Sequence, residues 1–341
     1  MGSPKGSVER SSAASPADEG DRSEGYDPSF RAERADTVFP KRRAVSYARR
    51  VTIDTSFGDP GPKARSRQDI VSVAEVRVDT KVVHYTVGGT GPTVLFLHGW
   101  GLGHHAYRGG LRRLAQLGFH VVAPALPGFG GTPDLEPGNR TFVGYARWLT
   151  RFVKAAGITP TMIVGHSFGG GVGIRVMADN PRYAQALVLI NSVGGAWRTD
   201  DGGEKPMADR PMWDWGRAIP ADVVGLLGSA GSMLPSVFQD LVPNVLRNPF
   251  GVAKVGRLAR NADLLAALRT VAERRVPITV VHSDRDGVIP QSSFESLRAA
   301  AQVEGRIVKG IHSWPLTSPA LFATLVSEAA APLRGRAVAS A

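Results

Sequence analysis

A chain of 341 residues, 43% of them hydrophobic, is long enough for one large α/β domain or two smaller ones. It has no cysteine, which excludes disulfides, thiol catalysis and cysteine-ligated metals. The net charge of +11 would suit a polyanionic partner, but no nucleic-acid motif accompanies it, and no apolar run approaches the ~18 residues that span a bilayer.

In chain order, residues 1–68 read as a disordered tail, rich in Ser, Gly, Pro and charge with few groups to bury. The start lacks a charged-then-apolar leader, and Gly6 stands where a myristoylation signal needs Ser or Thr, so a cytoplasmic protein is expected. The block from Lys41, Arg42 and Arg43 through Arg49 and Arg50 to Lys63, Arg65 and Arg67 reads as a solvated linker. The sharper alternative is a weak membrane-surface contact through segment 41–67.

From Asp69 the texture changes. "VAEVRVD" and "KVVHYTV" alternate as a strand pair turning near Asp79 and Thr80. "TVLFLHGW" suits a strand buried on both faces, and "AYRGGLRRLAQLG" has helical spacing closed by Gly118. "HVVAP" is a strand, "TFVGYARWLTRFVKAAG" an amphipathic helix, "TMIVG" a strand, "GGVGIRVMADNP" a helix and "AQALVLINS" a strand. Residues 194–275 break the alternation and read as loops and several helices. Too long for a connection, they are expected to form a helical subdomain. "VPITVVHSD", "SSFESLRAAAQ", "GRIVKGIHS" and "SPALFATLVSEAAAPL" then resume strand, helix, strand, helix. Alternating strands and helices imply a parallel, doubly wound sheet, with the core in 69–193 and 276–341.

Gly165-His166-Ser167-Phe168-Gly169 matches G-x-S-x-G between a strand and a helix. A phosphate loop would need Gly-Lys-Ser/Thr, and no lysine occurs there. A sharp strand-to-helix turn exposes the serine hydroxyl, and the glycines make room where a Cβ would collide. A serine needs a base, usually a histidine oriented by a carboxylate, in the order Ser, Asp or Glu, His. Two histidines follow Ser167. His282 lies within a strand, so His312, in a loop after the last strand, is the better base. "HSDRDGVIP" offers Asp286 as the acid, with Asp284 as the alternative.

On "LFLHGWG", "LPGFGGT", "VGHSFGG", "DRDGVIP" and "GIHSW", in this order over about residues 70–335, the chain resembles the α/β-hydrolase superfamily, in the branch with a helical lid after the sixth strand. The resemblance implies a mostly parallel eight-stranded sheet, a lid at 194–275, and an oxyanion hole from the backbone N–H groups of Phe168 and Trp100. It departs from the family at Ser283, at Ile311 and at Gly101, where Gly, Gly and Pro are often found. His98 is expected to tie its own loop by hydrogen bonds. His104 and His105 are adjacent and cannot chelate one metal as an i, i+4 pair would, so neither metal nor cofactor is expected.

Dehalogenases and epoxide hydrolases of the superfamily would carry aspartate at position 167, whereas serine implies acyl chemistry. The expected activity is hydrolysis of hydrophobic carboxylic esters through an acyl-enzyme. Carbon–carbon bond hydrolysis of meta-cleavage-type diketones, acyl transfer or perhydrolysis, and a hydrolase-like ligand-binding protein are the alternatives. Trp100 and Trp314 flank the implied catalytic positions and are the expected substrate-lining residues. Trp197, Trp213, Trp215, Met207, Met212 and Met233 of the lid read more readily as glue to the main domain.

Overall fold

The computed structural model describes Gly2 and residues 70–198, 203–210, 222 and 234–338. Apart from Gly2, the expected tail with its basic segment 41–67 lies outside the described residues, as do Trp213, Trp215, Met212 and Met233.

Among the described residues, ten strands and nine α-helices frame the site. The strands are β1 Val71–Val78, β2 Lys81–Gly88, β3 Thr93–Leu97, β4 His120–Pro124, β5 Met162–His166, β6 Ala186–Ile190, β7 Ala196–Arg198, β8 Glu204–Pro206, β9 Ile278–Ser283 and β10 Arg306–Val308. The helices are α1 Arg108–Gln116, α2 Phe142–Ala156, α3 Phe168–Asp179, α4 Leu234–Arg247, α5 Pro249–Arg260, α6 Leu265–Glu273, α7 Gln291–Ala301, α8 Trp314–Thr317 and α9 Pro319–Val338.

Eight strands form one sheet in the order β1-β2-β4-β3-β5-β6-β9-β10. The β1–β2 and β2–β4 pairs are antiparallel and the remaining pairs are parallel, so the sheet is mostly parallel as expected. Asp79 makes the β1–β2 turn with φ of 54°. The central strands are continuous apolar runs because both faces are covered. Val94 and Phe96 of β3 point into one layer with Leu111, Leu114 and Phe322, while Leu95 and Leu97 point into the other with Leu149, Val172 and Leu268. That alternation has the two-residue period of a strand.

The strand order reverses between β3 and β5, so the crevice above their carboxyl ends is where such a sheet takes ligands. Loops carrying His98, Ser167, Asn191, Asp286 and His312 all leave those carboxyl ends. A cavity of about 330 Å³ lined by Thr93, Thr161, Gln185 and Leu333 lies at the opposite ends of the strands, away from these loops.

The insertion between β6 and β9 is not purely helical: β7 and β8 pair as an antiparallel hairpin before α4 and α5. Helix α6, which the sequence pattern groups with the lid, packs between α3 and α7 as the crossover helix of the main sheet. Its buried Leu268 and Val271 join the core layer, so the apolar stripe of the helix is used on the sheet side. Among the described residues no helix is long and apolar enough to cross a membrane.

Candidate active site

Ser167 lies between β5 and α3 with φ of 53° and ψ of −118°, a backbone conformation that a non-glycine residue adopts only when its surroundings impose it. The imposition is steric and polar. A Cβ on Gly165 would come within 2.5 Å of Gly170 Cα, and one on Gly169 within 2.2 Å of the Leu97 carbonyl. Ser167 N–H donates to Ile190 O at 3.0 Å, tying the turn to β6. Phe168 is the first residue of α3, where a helix amide has no intrahelical acceptor, so its N–H is available to an anion.

The expected base and acid meet. His312 Nδ1 donates to Asp286 Oδ2 at 2.8 Å, which leaves Nε2 as the nitrogen able to take a proton. Asp286 Oδ1 accepts from the N–H groups of Val288 and Ile289, both at 2.8 Å, and Oδ2 also accepts from Asn191 Nδ2. Burial pushes the Asp286 carboxyl up, but the His312 charge and the hydrogen bonds from His312, Asn191 and Ile289 outweigh it and hold it below the usual range. Burial pushes His312 down, and the Asp286 charge and hydrogen bond, with the Asp222 charge, raise it above its ordinary value. Asp284 is engaged elsewhere: its Oδ1 accepts from Gly310 N–H at 2.9 Å and so closes the loop that carries His312. His282, buried in β9, stacks on Phe294 with its Nδ1 4.0 Å from Asp286 Oδ2, beyond hydrogen-bond reach.

The histidine–glycine loop lies against the serine, since a Cβ on Gly99 would approach Ser167 Cβ to 3.4 Å. His98 ties this loop as expected: Nδ1 donates to Gly99 O at 2.8 Å and Nε2 accepts from Leu126 N–H at 2.9 Å. Burial keeps the His98 ring neutral, which the donor and acceptor roles require. Trp100 reaches the insertion: its indole N–H donates to Val252 O at 2.6 Å, and its ring lies against Gly256 of α5.

Trp314 is a correction. It was expected to line a substrate pocket, but it is buried in the core layer with Phe322 and Val326, and its indole N–H donates to Asn191 Oδ1 at 2.9 Å. With its one polar atom satisfied there, the ring fixes the amide that in turn holds Asp286. The Phe168 side chain is likewise core, packed on Phe142 and Tyr145, so only its backbone faces the site.

Several contributors escaped the sequence reading. Tyr107 O–H donates to His166 Nδ1 at 2.7 Å, and His166 Nε2 donates to the His312 carbonyl at 3.1 Å, while Gly99 N–H donates to the same tyrosine oxygen at 3.3 Å. Burial, then the neighbouring His312 charge, pushes His166 down to about 3, so it stays a neutral link between the serine strand and the histidine loop. Ser283 Oγ donates to Ile311 O at 3.0 Å and accepts from Asn191 Nδ2 at 2.7 Å, so the departure from glycine at that position adds a tie. From the insertion, Asp222 accepts from the N–H and Oγ of Ser313, next to His312. Asp240 of α4 accepts from Gly103 N–H at 3.0 Å, Ala106 N–H at 2.8 Å and His105 Nδ1 at 2.9 Å. Asn244, one turn on, donates to Gly101 O and Leu102 O and accepts from Gly130 N–H. An asparagine ending the apolar run "LVLIN" and the 240/244 spacing were the available signals, but neither names its partner.

Comparison with known proteins follows the geometry. A protein of Mycobacterium phage D29 named "Putative non-heme haloperoxidase" is 29% identical over 252 residues, 70% of this chain and 87% of that protein. The pyrrolizixenacetamide deacetylase of Xenorhabdus hominickii is 26% identical over 232 residues, 65% of this chain and 84% of that protein. The crystal structure of a bacterial membrane phospholipase A superposes with a TM-score of 0.64 at 23% identity, covering 78% of this chain and 87% of that one, a likeness of fold. The profile of the α/β-hydrolase fold matches residues 92–312, from the start of β3 to the histidine paired with Asp286, and the chain belongs to that family.

Proposed function

We propose that the protein is a serine hydrolase that cleaves hydrophobic carboxylic esters through an acyl-enzyme, with Ser167 as nucleophile, His312 as base and Asp286 as the acid that orients it. The observation that carries this reading is the 2.8 Å bond from His312 Nδ1 to a buried Asp286, at the same strand ends as a serine held in a strained turn. His312 Nε2 takes the serine proton as Oγ attacks the acyl carbon, and the imidazolium is stabilised by Asp286. The N–H groups of Phe168 and Trp100 stabilise the oxyanion, a donor in that role being worth about 3 kcal/mol. The imidazolium then protonates the leaving alkoxide, and water, activated by the same base, releases the acid. The insertion acts as a lid, with Trp100 between it and the nucleophile supporting a preference for apolar acyl groups.

Labelling with a fluorophosphonate probe tests the reading. Ser167 is expected to be modified in the folded protein and protected by a chain-length series of aryl esters. Absence of labelling would favour a ligand-binding protein instead. A second reading, perhydrolysis, is favoured by the haloperoxidase-named relative that aligns with 70% of the chain. It uses the same acyl-enzyme with peroxide replacing water. Ester turnover in the presence of peroxide, read as peracid against carboxylic acid, separates the two.

A further inference from the structure

Helix α4 turns its faces the opposite way from an ordinary surface helix. At about 100° per residue, Asp240 and Asn244 share one side. Both are buried, at 2% and 5% exposure. Phe238, Val242, Val245 and Leu246 fall on the other side and are 47%, 42%, 42% and 76% exposed. Phe250, in the first turn of α5, is 80% exposed. A helix on a water-facing surface normally buries its apolar stripe and exposes its polar one. The inward face is accounted for by its bonds to the Gly101–Ala106 and Gly130 loops. The outward face carries four large apolar side chains, and exposed Phe250 follows at the start of the next helix, the kind of surface that marks an interaction site.

Charge selects the occupant. Residues 234–260 contain Arg247, Lys254, Arg257 and Arg260 against a single carboxylate, Asp240, which is turned inward. Arg260 is used within the fold, donating to the carbonyls of Ala208 and Arg210, while Arg247, Lys254 and Arg257 are exposed. On α5, Lys254 and Arg257 share the exposed side with Phe250, and residues 234–260 carry no exposed anion. A second copy of the chain would set these cations against each other, on a molecule of net charge +11. An anionic lipid surface complements both features, because its acyl boundary takes the apolar side chains and its headgroups attract the cations. We propose that the outer face of α4, with Phe250, docks on an anionic lipid–water interface. The inner face of the same helix holds the loop beside Ser167, so docking brings the candidate site next to lipid. The proposal concerns the surface and stands apart from the ester reading.

Flotation of the full chain with vesicles tests it, using phosphatidylcholine alone and phosphatidylcholine mixed with phosphatidylglycerol. The wild type is expected to float with the mixed vesicles. L246E/F250E is expected to weaken that binding at least about tenfold, each large apolar side chain withdrawn from the interface being worth roughly a factor of ten. The milder L246S/F250S is expected to fall between, and K254E/R257E to lose the preference for anionic vesicles. Circular dichroism melts matching the wild type confirm that the variants are folded. Wild-type flotation of L246E/F250E would overturn the proposal by placing any binding elsewhere, such as segment 41–67. Failure of the wild type to float would also overturn it, as would a dimer that L246E/F250E converts to monomer with vesicle binding unchanged.

Discussion

Helices α3 and α4 both border the candidate site and are built by opposite rules. From Phe168 to Ile174, α3 is buried without a break, and its glycines let its backbone press on β3, β5 and the end of β6. It needs no polar side chain to do its work, because its N-terminus supplies the amides. Helix α4 is held by directional bonds from Asp240 and Asn244 and leaves Phe238, Val242, Val245 and Leu246 outside. Steric fit places the proposed nucleophile, whereas a few buried polar contacts fasten the insertion to the loop beside it. The core side should therefore tolerate almost no change, and the insertion side should respond in proportion to the bonds removed.

The strongest way to break that contrast lies on the core side. Ser167→Ala is expected to lower kcat by about a million-fold with an unchanged melting temperature, measured on an aryl ester. Asp286→Asn is expected to cost about 10⁴-fold in kcat, because the amide leaves His312 in the wrong tautomer. The pH profile sharpens this assignment. The base works only when neutral, and Asp286 raises the His312 pKa above its ordinary value of 6.5, so kcat/KM should fall as pH drops through that raised value. Removing the carboxylate charge in Asp286→Asn should move this acid limb to lower pH. A limb that stays in place would detach His312 from the reaction.

Smaller effects compare packing with fastening. Gly169→Ala is expected to destabilise the fold by about 3 kcal/mol, since its Cβ would meet the Leu97 carbonyl at 2.2 Å, read by chemical denaturation. Asp240→Asn removes a charge that accepts from two loop amides and His105. It should lower kcat about tenfold with less change in KM, as the loop bearing Trp100 loses its anchor. A change confined to melting temperature would make Asp240 a structural tie alone. Tyr107→Phe takes the hydroxyl from His166 and Gly99 and is expected to cost about 1 kcal/mol of stability and little activity.

Much of the fold could be read from local pattern. The strands from "TVLFL" to "ITVVHS" stand where apolar runs end in glycine or polar turns, and α2 follows the apolar stripe of Phe142, Tyr145, Leu149 and Phe152. Ser167 was legible because a strand–turn–helix with flanking glycines is a local steric statement. The insertion was harder to read. The β7–β8 hairpin is too short for a periodic signal, and α6 has a lid-like sequence position but a core packing role. The place of Trp314 against Asn191 is not legible locally, because proximity to His312 in sequence does not say which way an indole points.

The sequence by itself determined the alternating strands and helices and the elbow at Ser167, since each rests on neighbours a few residues apart, and it offered Asp286 or Asp284 with His312 downstream. Tertiary structure alone set Asp286 rather than Asp284 against His312, gave Trp314 to Asn191, and set Asp240 on the loop beside Trp100. These last contacts join residues 123 and 137 positions apart, for Trp314–Asn191 and Asp240–Gly103. A hydrogen bond across such a distance leaves no period in the chain. It exists only because the sheet and its helices bring two polar groups together where water cannot serve either of them.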